Sequence, residues 1–326
     1  PLRLTASAVS DGLDIQSVAI HADLTDALLE APAGLWSKAE GEAGTADIAV
    51  SRDDTGFALD RVRIASEGLD LTASAHMTSQ GRLERIDFER LYVEGLADVG
   101  GELRVPEEAG APLQVRVSGR YVDVSGLVGD LGFLDQGGDD SLALSANVDI
   151  SRLILSETSV LDDFSLIWRS EPLGVRAFSV SGNALDGPFQ AFFGATEEDG
   201  AREFRLQAQS VERMASLFGI DNYARGGRVA VLGTAPPLGV DGPMSARVEV
   251  SDLTLVRVPI LARILAAGSF QGLAALLNGD GIVFDRIDGD VLYEDGLLTI
   301  ADARATGSAL GVSAAGTIDF DEAHAA

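Results

Sequence analysis

The sequence predicts a mainly β protein, built as an antiparallel meander. Three observations carry that reading: apolar and polar residues alternate with period two, turn pairs separate the alternating runs, and helical periodicity is scarce. Period-two alternation sends successive side chains to opposite faces of a strand. In GLDLTASAHM the apolar positions are Leu69, Leu71, Ala73, Ala75 and Met77, and in SLALSANVDI they are Leu142, Leu144, Ala146, Val148 and Ile150. Both segments read as half-buried strands. The pattern recurs at Leu113, Val115 and Val117, at Phe204, Leu206 and Ala208, at Ala246, Val248 and Val250, and at Leu310, Val312 and Ala314, with Ile318 and Phe320 following. Between these runs stand Asp11-Gly12, Glu67-Gly68, Asp186-Gly187-Pro188, Asp199-Gly200, Asp241-Gly242-Pro243 and Asp295-Gly296. Such pairs suit the positive φ angles of tight hairpins.

In SARVEVSDLTL the apolar set moves from Ala246, Val248 and Val250 to Leu253 and Leu255, so a bulge is expected near Ser251-Asp252. Helical spacing is confined to 24–30, 125–134, 211–219 and 259–277. The last is the longest. Pro259 opens it and glycines close it, with Gly279 and Gly281 flanking Asp280 as a helix-ending turn. It is apolar nearly all round, with only Arg263, Ser269 and Gln271 polar, and is expected to be buried or to lie against lipid. Its stripe Leu261, Ile264, Leu265, Gly268, Gly272 and Leu276 suits contact with a sheet, leaving the side of Phe270 and Ala274 for lipid or for the next groove segment.

Composition excludes several classes of function. The 326 residues carry 24 Lys and Arg against 51 Asp and Glu, a formal charge of −27, which repels polyanions and argues against nucleic-acid binding. The apolar fraction of 46% and mean hydropathy of +0.17 are not those of a disordered chain. With no cysteine there is no disulfide framework and no thiolate site. The longest apolar stretch, 258–277, is interrupted by polar residues, glycine and proline and falls short of a spanning helix. The chain opens at Pro1 without an initiator Met or a signal-type apolar core, and reads as an excerpt of a longer protein. At ~150 residues per domain, its length allows one large or two ordinary domains.

Catalytic and metal patterns are absent. His21, His76 and His324 are far apart, and none has metal-type spacing. His76 falls on the polar phase of its strand. There is no nucleophile elbow and no phosphate loop. Adjacent acids such as Asp53-Asp54, Glu107-Glu108, Asp139-Asp140, Asp162-Asp163 and Glu197-Glu198 arise by chance in so acidic a chain, so a glycan-processing enzyme has no site motif. The run Asp280, Asp285, Asp288, Asp290, Glu294 and Asp295 departs from calcium-loop spacing. It reads as turn formers and the solvent face of strands that bury Ile282, Phe284, Ile287, Val291 and Leu297. No cofactor, metal or catalytic residue is assigned.

A sheet apolar on one face must cover that face with another sheet, with helices or with a ligand. Four helical segments are too few. The sheet therefore either closes on itself as a sandwich or barrel, or forms a trough shielded by something outside the chain, and periodicity leaves both open.

Residues 251–320 form the most distinctive stretch. A strand leads to the proline-led apolar helix, and then come Gly281, Ile282, Phe284, Asp285, Arg286, Ile287 and Gly289; Asp295, Gly296, Leu298 and Ile300; and Gly307, Leu310, Gly311, Gly316, Ile318 and Asp319. This order resembles the C-terminal region of AsmA-like proteins, the bridge-like lipid transfer proteins of the YhdP and TamB type. VERMASLFGIDNYARGGRVAVLG at 211–233 and YVDVSGLVGDL at 121–131 resemble the same family, while the first hundred residues share only its style. The resemblance implies a long curled antiparallel sheet forming an apolar, taco-like groove of repeating segments, with a few short helices. It divides the chain into a β-groove segment, 1–240, and a C-terminal segment, 241–326, continuous with the same sheet. It further implies a non-enzymatic protein of the Gram-negative periplasm, anchored to the inner membrane by a segment outside this chain. Its groove would carry phospholipid acyl chains between inner and outer membranes. Groove-lining candidates are Leu69, Leu71, Leu142, Leu144, Val148, Leu261, Ile264, Leu265, Phe270, Leu273, Leu276, Ile282 and Phe284. The alternative is a periplasmic scaffold or outer-membrane assembly factor that binds envelope proteins by sheet-edge addition.

Overall fold

The computed structural model describes residues 3–11, 14–30, 36–52, 56–108, 110–125, 143–156, 159–184, 187–195, 200–217, 223–256, 281–308 and 310–319. Among them the first strands are β1 (Arg3–Asp11), β2 (Asp14–Asp23), β3 (Leu29–Glu30), β4 (Ser37–Lys38), β5 (Gly44–Arg52), β6 (Gly56–Ser66), β7 (Leu69–Thr78), β8 (Leu83–Val93), β9 (Ala97–Arg104) and β10 (Leu113–Asp123). There follow β11 (Leu144–Ser156), β12 (Ser159–Glu171), β13 (Gly174–Ala184), β14 (Gly187–Ala195), β15 (Arg202–Ala208), the helix α1 (Val211–Leu217), β16 (Ala224–Ala235), β17 (Met244–Leu255), β18 (Ile282–Glu294), β19 (Leu297–Thr306) and β20 (Gly311–Asp319). The protein is thus mainly β. Eighteen strands belong to one hydrogen-bonded sheet, and β3 pairs with β4 alone. The chain forms two compact units, Pro1–Ile154 with Asp162–Pro172, and Leu155–Leu161 with Leu173–Ala326. The expected boundary at 240/241 falls in the β16–β17 connection, inside the second unit.

In the first unit the strands run in the order β1, β2, β5, β6, β7, β8, β9, β10, β11. Neighbours are antiparallel up to β10, because short turns such as Glu67-Gly68, with Gly68 at φ 72°, reverse the chain between them. The expected antiparallel pairing has one exception. β10 and β11 pair in parallel, from Leu113 opposite Leu144 to Asp123 opposite Ile154. Residues 124–143 separate them, and a connection of that length lets the chain return to the end from which β10 began.

Segment 24–30 is not helical, contrary to its spacing. The Asp23 carboxylate accepts the Thr25 backbone N–H at 2.9 Å and its hydroxyl at 2.6 Å, which makes a side-chain turn. The chain then enters β3. Lys38 Nζ donates to the carbonyls of Thr25, Ala27 and Ala39 at 3.3, 2.9 and 3.0 Å, and so satisfies acceptors that a helix would use internally. This lysine is 0% exposed. Segment 24–29 instead lies on the sheet, where Leu24 joins Ala22 and Ala46 in a buried cluster flanked by Ala27, Leu29 and Ile64.

In the second unit β13 to β20 form a continuous antiparallel run. Helix α1 accounts for the spacing at 211–219 as far as Leu217. Ser210 caps it, its hydroxyl accepting the Arg213 N–H at 3.2 Å. The helices expected at 259–277 and over 126–134 lie outside the described residues.

The bulge expected at Ser251-Asp252 takes another form. No residue is inserted: Arg228 faces Ser251 and Gly226 faces Leu253 on one side, while Ser251 faces Arg286 and Leu253 faces Phe284 on the other. Instead three strands change phase together. The inward set passes from Val229, Val250 and Ile287 to Leu253, Leu255, Ile282 and Phe284 across the row of Gly226-Gly227, Asp252 and Asp285. Positive φ angles at Gly226 (63°), Gly227 (77°) and Asp252 (57°) make the turn-over. Because all three strands rotate at one level, the ladder stays in register.

Candidate functional site

Pairing aligns the alternating apolar residues into rows that cross each unit on one face. In the first unit one row runs Ile20, Ile48, Val62, Ala73, Phe88, Gly101, Val117, Val148. Every one of these residues is half-buried. The next row, Val18, Val50, Leu59, Ala75, Ile86, Leu103, Val115, Ala146, is half-buried throughout except at Ala146. A third, Ala22, Ala46, Ile64, Leu71, Leu91, Val99, Gly119, Ile150, is buried at Ala22 and Ala46, where segment 24–29 covers it, and again at Val99 and Ile150.

The second unit repeats the arrangement. Val180, Ala191, Leu206, Val231, Val248, Gly289, Ala303 and Ala314 make one row. Phe178, Phe193, Phe204, Gly233, Ala246, Val291, Ile300 and Gly316 make the next, with Phe178 and Phe193 stacked at 5.6 Å between centroids. Each unit lays a phenylalanine ring over a glycine of the adjacent strand. A Cβ on Gly101 would lie 2.7 Å from Phe88 Cζ, and one on Gly233 would lie 2.3 Å from Phe204 Cζ. Glycine lets the ring lie along the sheet, which keeps the apolar face smooth.

The opposite faces are mainly polar, although that of the second unit also exposes Phe192, Leu232 and Leu292. In the first unit Thr5, His21, Asp47, Arg63, Thr72 and Arg90 form a row, with His21 Nδ1 2.7 Å from the Asp47 carboxylate. His76 bonds Glu84 at 2.8 Å. In the second unit Arg247 meets Asp290 at 3.2 Å, and Arg286 meets Asp288 at 3.0 Å and Glu249 at 3.3 Å. Asp295 occupies a hairpin position at φ 49°. Among the described residues no group of three or more His, Asp or Glu is placed to hold a metal ion, and no helix is long and apolar enough to cross a membrane.

Among the sequence-derived groove candidates, Leu69, Leu71, Leu144 and Val148 share the apolar face of the first unit, Leu69 opposite Val93 and Leu144 opposite Leu113. Ile282 and Phe284 belong to the second unit and are closed off, at 2% and 1% exposure, with Leu255, Ile287, Ala305, Leu310 and Val312 packed against them. Leu142, Leu261, Ile264, Leu265, Phe270, Leu273 and Leu276 lie outside the described residues. Two features went unread in the sequence. One is Asp98, a buried carboxylate hydrogen-bonded by Arg120 and within 3.4 Å of Arg90. Burial alone would raise its pKa, but the Arg120 hydrogen bonds and the charges of Arg120 and Arg90 prevail and hold it below the ordinary carboxylate value. The other is Arg202, which stands two residues before Phe204 and therefore on the apolar face, between Ala195 and Ala235.

No family model, curated protein or solved structure matches this chain.

Proposed function

We propose that the apolar faces accommodate phospholipid acyl chains, and that the protein is a periplasmic segment of an AsmA-like, bridge-like lipid transfer protein working between the inner and outer membranes. The observation that carries this reading is the uniform half-burial of the Ile20-to-Val148 row. In a closed sandwich such a row forms the core and loses nearly all its exposure. Seven apolar residues and one glycine, in register and only half-buried, are the state expected of a face whose cover comes from outside the chain.

Acyl chains suit that face. Each methylene removed from water contributes roughly 0.8 kcal/mol, so a smooth lining of Ala, Val, Leu and Ile lowers the cost of holding a chain in an aqueous compartment. Lipid moves by partitioning along such a surface, and no catalytic step is required. The acidic, ion-paired outer faces keep the protein in solution and discourage broad adhesion to anionic membranes. A groove of curled, taco-like section is the form this reading expects. Native mass spectrometry of protein purified from a membrane-containing bacterial lysate tests it: retained phospholipid is the expected result, and lipid-free protein with a stoichiometric polypeptide partner favours the scaffold reading instead.

A further inference from the structure

The geometry points to Arg202 as the seat of a phospholipid head group, its guanidinium binding the phosphodiester while the acyl chains lie along the rows headed by Phe178 and Val180. This rests on the lipid-binding reading of that face. Among the described residues of β13 to β20, the inward positions are otherwise apolar or glycine, apart from the Tyr293 phenol and from Arg176, which stands two residues before Phe178 as Arg202 stands two before Phe204. Its side chain is held in place. Nε donates to the Pro236 carbonyl at 2.7 Å, Nη1 to the Val175 carbonyl at 3.0 Å, and Cζ sits 5.0 Å from the Phe193 ring centroid. These contacts fix the orientation of the planar group and leave Nη2 without a hydrogen-bond partner among the described residues.

Among the described residues the site has no anion. Every other strand arginine that forms an ion pair described above meets a carboxylate, whereas Arg202 has carbonyl oxygens and an aromatic face. Burial pulls its pKa below the ordinary guanidinium value. A phosphodiester supplies the missing charge through the two-point geometry that a guanidinium favours. In a chain of net charge −27 an anionic head group is repelled almost everywhere, so a held cation beside an apolar face localises it.

Binding of fluorescent phosphatidylglycerol, of diacylglycerol with the same chains and of inorganic phosphate separates the possibilities, measured on the full chain and on its Arg202→Gln and Arg202→Lys variants. The wild-type protein should prefer phosphatidylglycerol to diacylglycerol by about tenfold. Arg202→Gln should bring phosphatidylglycerol down to the level of diacylglycerol and leave diacylglycerol unchanged, with Arg202→Lys between the two. Equal binding of both lipids by the wild-type protein overturns the head-group site while sparing the lipid-binding face. Displacement by inorganic phosphate alone, dependent on Arg202, makes it a free-anion site and also overturns it. A loss of both lipids in Arg202→Gln assigns the residue to fastening the 236 loop only. If wild-type protein binds neither lipid, the underlying reading fails and this one with it. The wild-type preference decides the matter even if Arg202→Gln does not fold.

Discussion

Leu71 in the first unit and Phe284 in the second are both inward-facing apolar residues of paired strands, yet Phe284 is 1% exposed while Leu71 remains half-buried. Their strands share the same alternation. The difference is set by what happens around the strand. Near Phe284 the three-strand change of phase at Gly227 and Asp252 turns Leu253, Leu255 and Ile282 to one side, and Leu310 follows β19 onto them. Around Leu71 the rows continue strand after strand without such a turn-over, and Ala22 and Ala46 close only where segment 24–29 lies on them. Apolar patterning therefore marks a face, while burial depends on local coverage. The covered places act as structural core, and the rows left half-buried among the described residues are where the proposed ligand would lie.

Substitutions can break or sharpen that contrast. Phe284→Ala should have the largest effect, destabilising the protein by about 3–5 kcal/mol in denaturant unfolding, as expected for emptying a closed core. A loss below about 1 kcal/mol would place Phe284 with the open rows. Gly227→Val should cost about 2–3 kcal/mol, because a β-branched residue resists φ 77° and its Cβ would lie 2.7 Å from Leu253 Cδ1. A near-neutral result would show that the change of phase does not need this glycine.

Asp98→Asn should cost about 1–2 kcal/mol at neutral pH by weakening the Arg120 and Arg90 hydrogen bonds. The folded-state pKa of Asp98 is depressed, so its stabilisation is fully present above the unfolded carboxylate pKa and is lost as pH falls through the folded value. The acid limb of the stability curve should accordingly be shallower in the variant. Leu71→Ala should have the smallest effect on folding, about 1 kcal/mol, while lowering the amount of lipid retained on purification. A large loss of stability with unchanged lipid would reverse the roles assigned to the two regions.

Much of the sheet was legible. The runs at 69–77 and 142–150 and the Asp295-Gly296 pair became β7, β11 and the β18–β19 hairpin, since alternation and turn chemistry are local properties of the chain. The parallel β10–β11 pairing was not, because strand direction depends on where a long connection returns. The spacing of 24–30 suggested a helix, and the competing hydrogen bonds came from Asp23 and from Lys38, the latter thirteen residues beyond Thr25. The phase change at Ser251-Asp252 was visible in one strand, but the synchrony of three strands appears only in their pairing. Arg202 did leave a local trace: it falls two residues before Phe204 in the alternation Phe204, Leu206, Ala208. Its carbonyl partners, Val175 and Pro236, are remote in sequence and could not be anticipated.

The central claim, that half-buried apolar rows hold acyl chains, is tested most directly on adjacent residues of β7. A photoreactive amino acid is placed at Ala73, on the apolar face, or at Thr72, on the polar face, and the protein is irradiated in cells whose phospholipids are radiolabelled. Lipid crosslinked at position 73 and not at 72 is the predicted outcome. Crosslinking at neither position, or equally at both, would contradict the account.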